Sequence, residues 1–326
     1  MSQPDRIYST VSDAAPRDDA PVAPEDRGPG DLRGAGARSP LFWKFMLAAM
    51  ALIWGYSFTT MKTVTDTIPT FTLLACRFIP AALLMFALFR KRVRAHFNRR
   101  YLVIGIGIGL TLWGGYAFQT LGLVGTTAGK SSFLTGTYCV LVPFVSYVIS
   151  RERLTRYNVG AAVLCLTGIA LVALDDFSVE PHDLLTLLGA LFYALELAFT
   201  SKLCKDVDIN VVTFWMFVTT GVLSAAASLL FETPPAVSTW SAQIWIQIAF
   251  LAVICTCVAL LVQNAGLAHV PASTGSLLLS LESPSGVLFS CLLMGEVVTP
   301  RLLFGFALIF VAIIVSETHL SFLKRG

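Results

Sequence analysis

Ten apolar stretches of roughly 17–25 residues recur along this chain, each long enough to cross about 30 Å of hydrocarbon as a helix. They fall at residues 41–61, 70–89, 101–121, 127–149, 157–174, 183–201, 210–230, 242–266, 272–293 and 301–319. Lipid offers backbone N–H and C=O groups no partner, so runs of this length predict helices that satisfy their own hydrogen bonds. Charge usage agrees: 13% of the residues are Asp, Glu, Lys or Arg and the mean hydropathy is +0.74, against roughly a quarter charged in soluble domains. The predicted fold class is an all-α membrane protein with ten transmembrane helices.

Residues 1–40 have a different character. They are rich in Pro, Gly, Asp, Ala and Arg and hold almost no large apolar side chains, a composition that predicts a disordered tail. The apolar core of a signal peptide is missing, and the acidic residues argue against a transit peptide.

Lys and Arg placement predicts orientation. The connection between spans two and three reads FRKRVRAHFNRR, that between four and five carries Arg151, Arg153 and Arg156, and that between six and seven carries Lys202 and Lys205. The opposite loops offer Lys62 and Arg301, and the loop DDFSVEPHD is acidic. Both termini are therefore expected in the cytoplasm of a multi-pass protein of the inner membrane. The basic clusters then face anionic lipid head groups, and no nucleic acid partner is expected. The lipid bilayer and a small-molecule metabolite are the expected partners, with monomer and homodimer both open.

The chain repeats itself. GYAFQTLGLVGTTAGKSSFLTGTY (115–138) compares with ALLVQNAGLAHVPASTGSLLLSLE (259–282) at a constant interval. Gln119 meets Gln263, Gly122 meets Gly266, Ala128 meets Ala272 and Ser132 meets Ser276, and the same step carries Glu152 and Thr155 onto Glu296 and Thr299. Each half holds five spans, an odd number, so the second half enters the membrane the other way up. Inverted repeats of this kind build transporters whose substrate site lies near the midplane, between the halves. The expected domains are a cytoplasmic tail at 1–40, a first repeat at 41–174 and a second at 183–319.

Four stretches carry a resemblance: ALIWGYSFTTMK in the first span, ACRFIPAALL in the second, AGKSSFLTGTYCVLVP in the fourth, and the repeated Glu-x-x-Thr loop. Over residues 41–319 the chain resembles the EamA family of the drug/metabolite transporter (DMT) superfamily. The resemblance implies ten helices in two inverted five-helix halves around a central cavity, exporting or exchanging small metabolites, amino acids among them. The sixth span departs from that pattern, with Tyr193-Ala-Leu where relatives favour Trp-Ala, and with Glu196.

Charges inside a bilayer are costly, so Arg77, Lys130, Glu196 and Glu282 each invite a reading. Lys130, Ser131, Thr135, Thr137 and Tyr138 share roughly 160° of the fourth helix. That arc predicts a cavity with Lys130 at its outer mouth and Tyr138 near its middle; snorkelling of Lys130 to the interface is the competing reading. Helical spacing also groups Trp54 with Ser57, Trp113 with Tyr116, and Tyr193 with Glu196. A second alignment step superposes Trp54 on Tyr193 and Ser57 on Glu196, which suggests a site bounded by aromatic rings, although ordinary helix packing uses such stripes too. Glu282 aligns with Tyr138 but points away from Ser273, Ser276, Ser280 and Ser283, leaving open which face of that helix lines the cavity. For Arg77, about two turns into a second span that the resemblance implies is peripheral, a structural ion pair or carbonyl contacts is the favoured reading. Glu152 and Glu296, just ahead of helices, are read as first-turn acids complementing the helix dipole.

Other signals fail. GIGIGL (105–110) lies within an apolar span and follows no strand, so it is no nucleotide loop. The seven cysteines suggest no disulfide framework, and the four histidines lie near span ends without ligand spacing, so neither cofactor nor metal is expected. The expected function is export of a small organic metabolite, an amino acid or similar, by alternating access. Trp54, Trp113, Tyr116 and Tyr193 would form walls, Thr135, Tyr138 and Asn264 would hydrogen-bond, and Glu196 and Glu282 would act as charged partners. An intramembrane enzyme acting on a lipid or peptide is the alternative.

Overall fold

The computed structural model describes residues 39–151, 153–175, 178–204, 206–267, 269 and 278–318, without the side chains of 172–175, 178, 179, 264, 267 and 317. Nearly all of the expected tail, Glu152, Ser273, Ser276 and the side chain of Asn264 lie outside this description.

The order of elements is α1 (Pro40–Thr65), α2 (Thr70–Ala95), α3 (Arg99–Gly125), α4 (Ala128–Gly136), α5 (Tyr138–Ser150) and α6 (Arg156–Ala173), then a short antiparallel pair, β1 (Leu174–Asp175) with β2 (Ser178–Val179). There follow α7 (Pro181–Leu203), α8 (Ile209–Phe231), α9 (Ala242–Ala249), a π-helical segment over Phe250–Val258, α10 (Ala259–Leu267), α11 (Glu282–Met294) and α12 (Pro300–Thr318). Seven helical stretches are long and apolar enough to cross a membrane, and two shorter apolar helices cover Arg156–Leu171 and Pro300–Ser316. Apart from that two-residue strand pair, the regular structure among the described residues is helical, and the chain is a multi-pass membrane protein.

Short polar side chains start the helices. Ser39, Asn98, Thr127 and Ser241 accept hydrogen bonds from the amides of Phe42, Tyr101, Lys130 and Ile244, satisfying donors that the helix itself leaves open. The start of α2 is capped from far away: Glu232, after α8, accepts from the amides of Phe71 (2.7 Å) and Thr72 (2.8 Å) and from the Thr72 hydroxyl (2.9 Å). Within the spans, hydroxyls turn back on their own helix, as Thr63 does onto the Thr59 carbonyl and Thr213 onto that of Ile209, which removes them from competition with lipid.

Helix α2 packs on α8 and the π-helical segment, α6 on α12, α4 on α11, α3 on α7 and α8, α7 on α4 and α5, and α1 on α10, α11 and the π-helical segment. Exchanging each predicted span for the one five places on maps these pairings onto themselves. The backbone carries the same imprint. Thr137 (φ −61°, ψ −16°) interrupts the fourth span and Leu281 (φ −62°, ψ −13°) precedes α11 in almost the same conformation. The positive φ angles among the described residues belong to Arg151 (58°) and Gly295 (68°), which end α5 and α11. Both pairs are separated by the interval that relates Gln119 to Gln263. Left-handed backbone is strained for any residue with a Cβ, and Arg151 holds it where α5 ends, as Gly295 does where α11 ends.

Small residues set the helix spacing. A Cβ on Gly189 would sit 2.8 Å from the Gln119 amide nitrogen and 3.0 Å from the Gly115 carbonyl oxygen, backbone atoms of α3. In α1, a Cβ on Gly55 would fall 2.7 Å from the Gly286 nitrogen. Backbones this close are held by dispersion, the main attraction between helices in lipid. Replacing Gly189 with Leu should push α7 off α3 and cost about 1–3 kcal/mol, seen as a lower melting temperature in detergent. Gly107→Leu, at a position with open space around it, is the control and should leave melting unchanged.

Candidate functional site: a central polar cavity

The helix break at Thr137 sets the geometry. Its amide and hydroxyl both turn back onto the Leu134 carbonyl, so the next residue, Tyr138, enters the bundle from a shifted register. Glu282 stands in the equivalent place after Leu281. Both side chains line an internal cavity of about 100 Å³ together with Trp54, Ser57, Phe58, Met61, Arg77, Leu112, Tyr116, Gln119, Thr135, Tyr193, Glu196, Leu197, Leu260 and Gln263. The lining therefore comes from both halves of the chain.

A chain of polar contacts crosses this space. Arg77 donates from Nη2 to the Tyr116 hydroxyl (3.2 Å), and its guanidinium carbon lies 4.5 Å from the Tyr116 ring centroid. Tyr116 meets Tyr193 edge to face at 5.3 Å, and Tyr193 meets Tyr138 in the same manner at 6.3 Å. The Tyr193 hydroxyl donates to Gln119 Oε1 (2.9 Å), and Gln119 Nε2 donates to Thr135 Oγ1 (3.1 Å). Glu196 accepts from Thr200 one turn further along α7 (3.0 Å). Ser57 donates to the Trp54 carbonyl in its own helix (2.7 Å).

The π-helical segment anchors two residues of the cavity wall, Trp54 and Arg77. Its wider turn lets Thr256 donate to the Leu251 carbonyl five residues back (2.9 Å) while its hydroxyl accepts from Arg77 Nε (2.6 Å). The Cys255 carbonyl accepts from Trp54 Nε1 (2.7 Å). Departures from α-helical hydrogen bonding of this kind recur at functional sites; here one anchors both the indole and the guanidinium.

Of the residues expected at the site, Trp54, Ser57, Tyr116, Thr135, Tyr138, Tyr193, Glu196 and Glu282 are brought together. Asn264 lies on α10, its side chain outside the described residues. Trp113 is placed elsewhere: it stacks on Phe71 at 6.1 Å and packs between α2 and α3. The helical stripe it shares with Tyr116 spans an arc wide enough to divide between packing and cavity. The open question about α11 is answered as well. Ser283 and Ser132 exchange hydroxyl-to-carbonyl bonds across the α4–α11 contact (3.2 and 3.1 Å), so the serine face packs and the Glu282 face lines the cavity.

Arg77 is the residue that sequence reasoning misplaced. It is 1% exposed, reaches the cavity, and takes part in none of the ion pairs seen among the described residues. Gln119 and Gln263 were readable only as repeat markers. The signal that could have found them was present, because two superposed carboxamides in mid-span need partners that lipid cannot provide.

Lys130 sits apart from this cavity. Its Nζ lies 2.6 Å from Asp183 Oδ2 and 3.6 Å from Glu180 Oε2, while Asp183, fully buried, also accepts from Thr126 (3.1 Å). Lys130, Glu180 and Thr126 border a second, larger space of about 720 Å³ at the end of the bundle, shared with Lys62, Glu296 and Arg301. Lys62 donates to the carbonyls of Leu123 (2.9 Å) and Val124 (2.7 Å) at the end of α3. Glu296 accepts from the Gly129 amide (3.0 Å) and from the hydroxyls of Thr127 and Ser290. The expected dipole role of Glu296 thus falls on α4, in the other half, rather than on the helix that follows it. A cation closes the negative end of α3 and an anion the positive end of α4, so the turn at 125–127 is clamped from both sides.

Breaking one member of a buried ion pair strands the other, at about 3–5 kcal/mol. Lys130→Ala and Asp183→Ala should each lower thermal stability markedly. The double substitution should cost less than the two single ones added together, with a coupling of about 0.5–3 kcal/mol in a double-mutant cycle.

With the geometry in place, comparison with known proteins is informative. The sequence profile of the EamA-like transporter family matches twice, at residues 41–174 and 181–318. A protein of Archaeoglobus fulgidus named as an uncharacterized transporter is 31% identical over 283 residues, covering 86% of this chain and 88% of its own. The uncharacterized transporter YoaV of Bacillus subtilis is 26% identical over 270 residues, covering 81% and 92%. One crystal structure shares the fold with a TM-score of 0.61 at 21% identity, covering 86% of this chain and 98% of its own. Two profile matches spanning nearly all of the described residues, on a bundle of membrane-crossing helices, place this chain in the EamA-like transporter family.

Proposed function

We propose that the chain carries a small organic metabolite, an amino acid or similar, out of the cell across the cytoplasmic membrane by alternating access. Ten spans in two inverted five-helix halves, with both termini cytoplasmic, form the carrier. The observation that supports this reading is the central cavity, built by both halves at the level of two equivalent helix breaks and walled by rings and polar groups. Trp54, Tyr116, Tyr138 and Tyr193 serve as walls. Thr135 and Asn264 provide hydrogen bonds, and Glu196 and Glu282 are the charged partners.

Size adds a mechanical requirement. At about 100 Å³ the cavity holds a few waters, each with a share of about 30 Å³, whereas sites for drug-sized ligands run to about 300–1,000 Å³. A metabolite therefore enters only when the walls separate. The clamp around 125–127 holds one end shut in the conformation described here, and releasing Lys130 from Asp183 opens the route from the larger space beyond. Thr135 lies about 8 Å along the helix axis from Lys130, so a solute bonded to it sits just beneath that clamp.

Purified protein in liposomes should show saturable counterflow of a labelled solute drawn from amino acids, nucleosides and amines, with trans-stimulation; a pore gives neither. Glu196→Gln should lower the flux at least about tenfold, the equivalent of about 1.4 kcal/mol. Wild-type rates in that variant at every pH tested would remove Glu196 from the mechanism.

A further inference from the structure

We propose that the connection between α2 and α3 is a binding site for an anionic phospholipid. Arg90, Arg94, Arg99 and Arg100 hold its phosphate, and Phe97 meets its acyl region. The site is separate from the central cavity, and its assignment does not depend on what the chain carries.

Helix length places this connection at the level of the lipid head groups. About 20 helical residues cross the hydrocarbon layer, whereas α2 runs for 26. The helix changes course at Phe89 (φ −113°, ψ 19°). Beyond that point Val93, 2% exposed, packs into the same core cluster as Tyr101. Its burial fixes the rotation of the last turn and leaves Arg90, Lys91 and Arg94 exposed. Arg90 and Arg94, four residues apart on one helix face, repel each other. Arg99 and Arg100 are also exposed and open α3, whose first turn carries no acid and where the helix dipole disfavours cations. Among the described residues, the ion pair made by this connection is that of Arg92 with Asp208, at 3.3 Å. The other cations crowd together without a described carboxylate, and an anion from outside the chain relieves that repulsion. Arginine forks suit a phosphate, which they grip in pairs of parallel hydrogen bonds.

A second observation points to a lipid rather than a free anion. Phe97 lies in sequence between the two sets of arginines, is 70% exposed, and has its ring 5.5 Å from that of Trp215. A soluble phosphate gains nothing from an exposed ring. A phospholipid supplies both partners at once, the phosphate to the cations and the upper acyl chain to the aromatic group. Membrane orientation asks only for a number of cations on one side; it calls for neither the ring among them nor the crowding of like charges.

The test uses the full chain purified in neutral detergent, followed by native mass spectrometry and thermal melting. Dioleoylphosphatidylglycerol, dioleoylphosphatidylcholine and inorganic phosphate are titrated separately. Phosphatidylglycerol should remain bound as discrete adducts and raise the melting temperature, as a ligand of the folded state does. Phosphatidylcholine and phosphate should do neither. The double variant Arg90→Gln/Arg94→Gln should weaken phosphatidylglycerol binding at least about tenfold, from the loss of two cations near the head group. Phe97→Ser should weaken it too. Arg153→Gln/Arg156→Gln, which removes exposed cations from a different connection, should leave it unchanged. An equal loss in that control would show diffuse attraction and overturn the site. Phosphatidylcholine bound as well as phosphatidylglycerol by the wild type would overturn it whatever the variants do. Stabilisation by inorganic phosphate to the same extent would overturn the lipid assignment in favour of a free anion.

Discussion

Hydrocarbon cannot hydrogen-bond, and nearly every arrangement in this structure answers to that fact. An unbroken helix is the cheapest response, because it satisfies its own backbone. Breaks are permitted only where something other than lipid meets the exposed groups. The fourth span breaks at Thr137, a matching turn precedes Glu282, and a π-helical segment spans Phe250–Val258. Tyr138 and Glu282, which follow the two turns, line one cavity, and the π-helical segment holds Arg77, another of its lining residues, through Thr256. The irregularities that would destabilise a lipid-facing helix are thus concentrated where function needs polar atoms, and the surrounding crossings at Gly189 and Gly55 are tight enough to hold them in place.

Two kinds of buried charge result, and their partners distinguish them. Lys130 and Asp183 neutralise one another between the heads of α4 and α7, with Thr126 satisfying the remaining carboxylate oxygen. Such a pair contributes little net stability when intact and costs several kcal/mol when half removed. Arg77, Glu196 and Glu282 border a shared cavity without pairing among the described residues. Their desolvation is offset only in part, through hydroxyls and an aromatic face.

Much of the site was legible because repeats superpose. Trp54 with Tyr193, Ser57 with Glu196, and Tyr138 with Glu282 were paired by alignment, and each pair lines the cavity. Residues with one dominant chemical reading were harder. Lys130 and Arg77 are both cations inside apolar runs, and nothing along the chain says that one meets Asp183, 53 positions later, and the other Thr256, 179 positions later. Trp113 and Tyr116 sit on one stripe of α3, yet only Tyr116 turns inward, because α2 offers Phe71 as a stacking partner to Trp113. Periodicity identifies a face; it does not identify the neighbour.

From the sequence alone came the helical membrane class, the expected span count, duplication and orientation, and a short set of polar residues that lipid would reject. These follow from composition and interval, which are local or additive properties of a chain. Tertiary structure decided which of those polar residues share a cavity, which close on one another, and where a helix could afford to break. Those outcomes depend on distances between helices remote in sequence, fixed by side-chain volume at each crossing. Gly189 against the backbone of Gly115 and Gln119 shows the reason: a few missing atoms set how closely α3 and α7 approach, and that spacing determines whether Tyr193 can reach Gln119 at all.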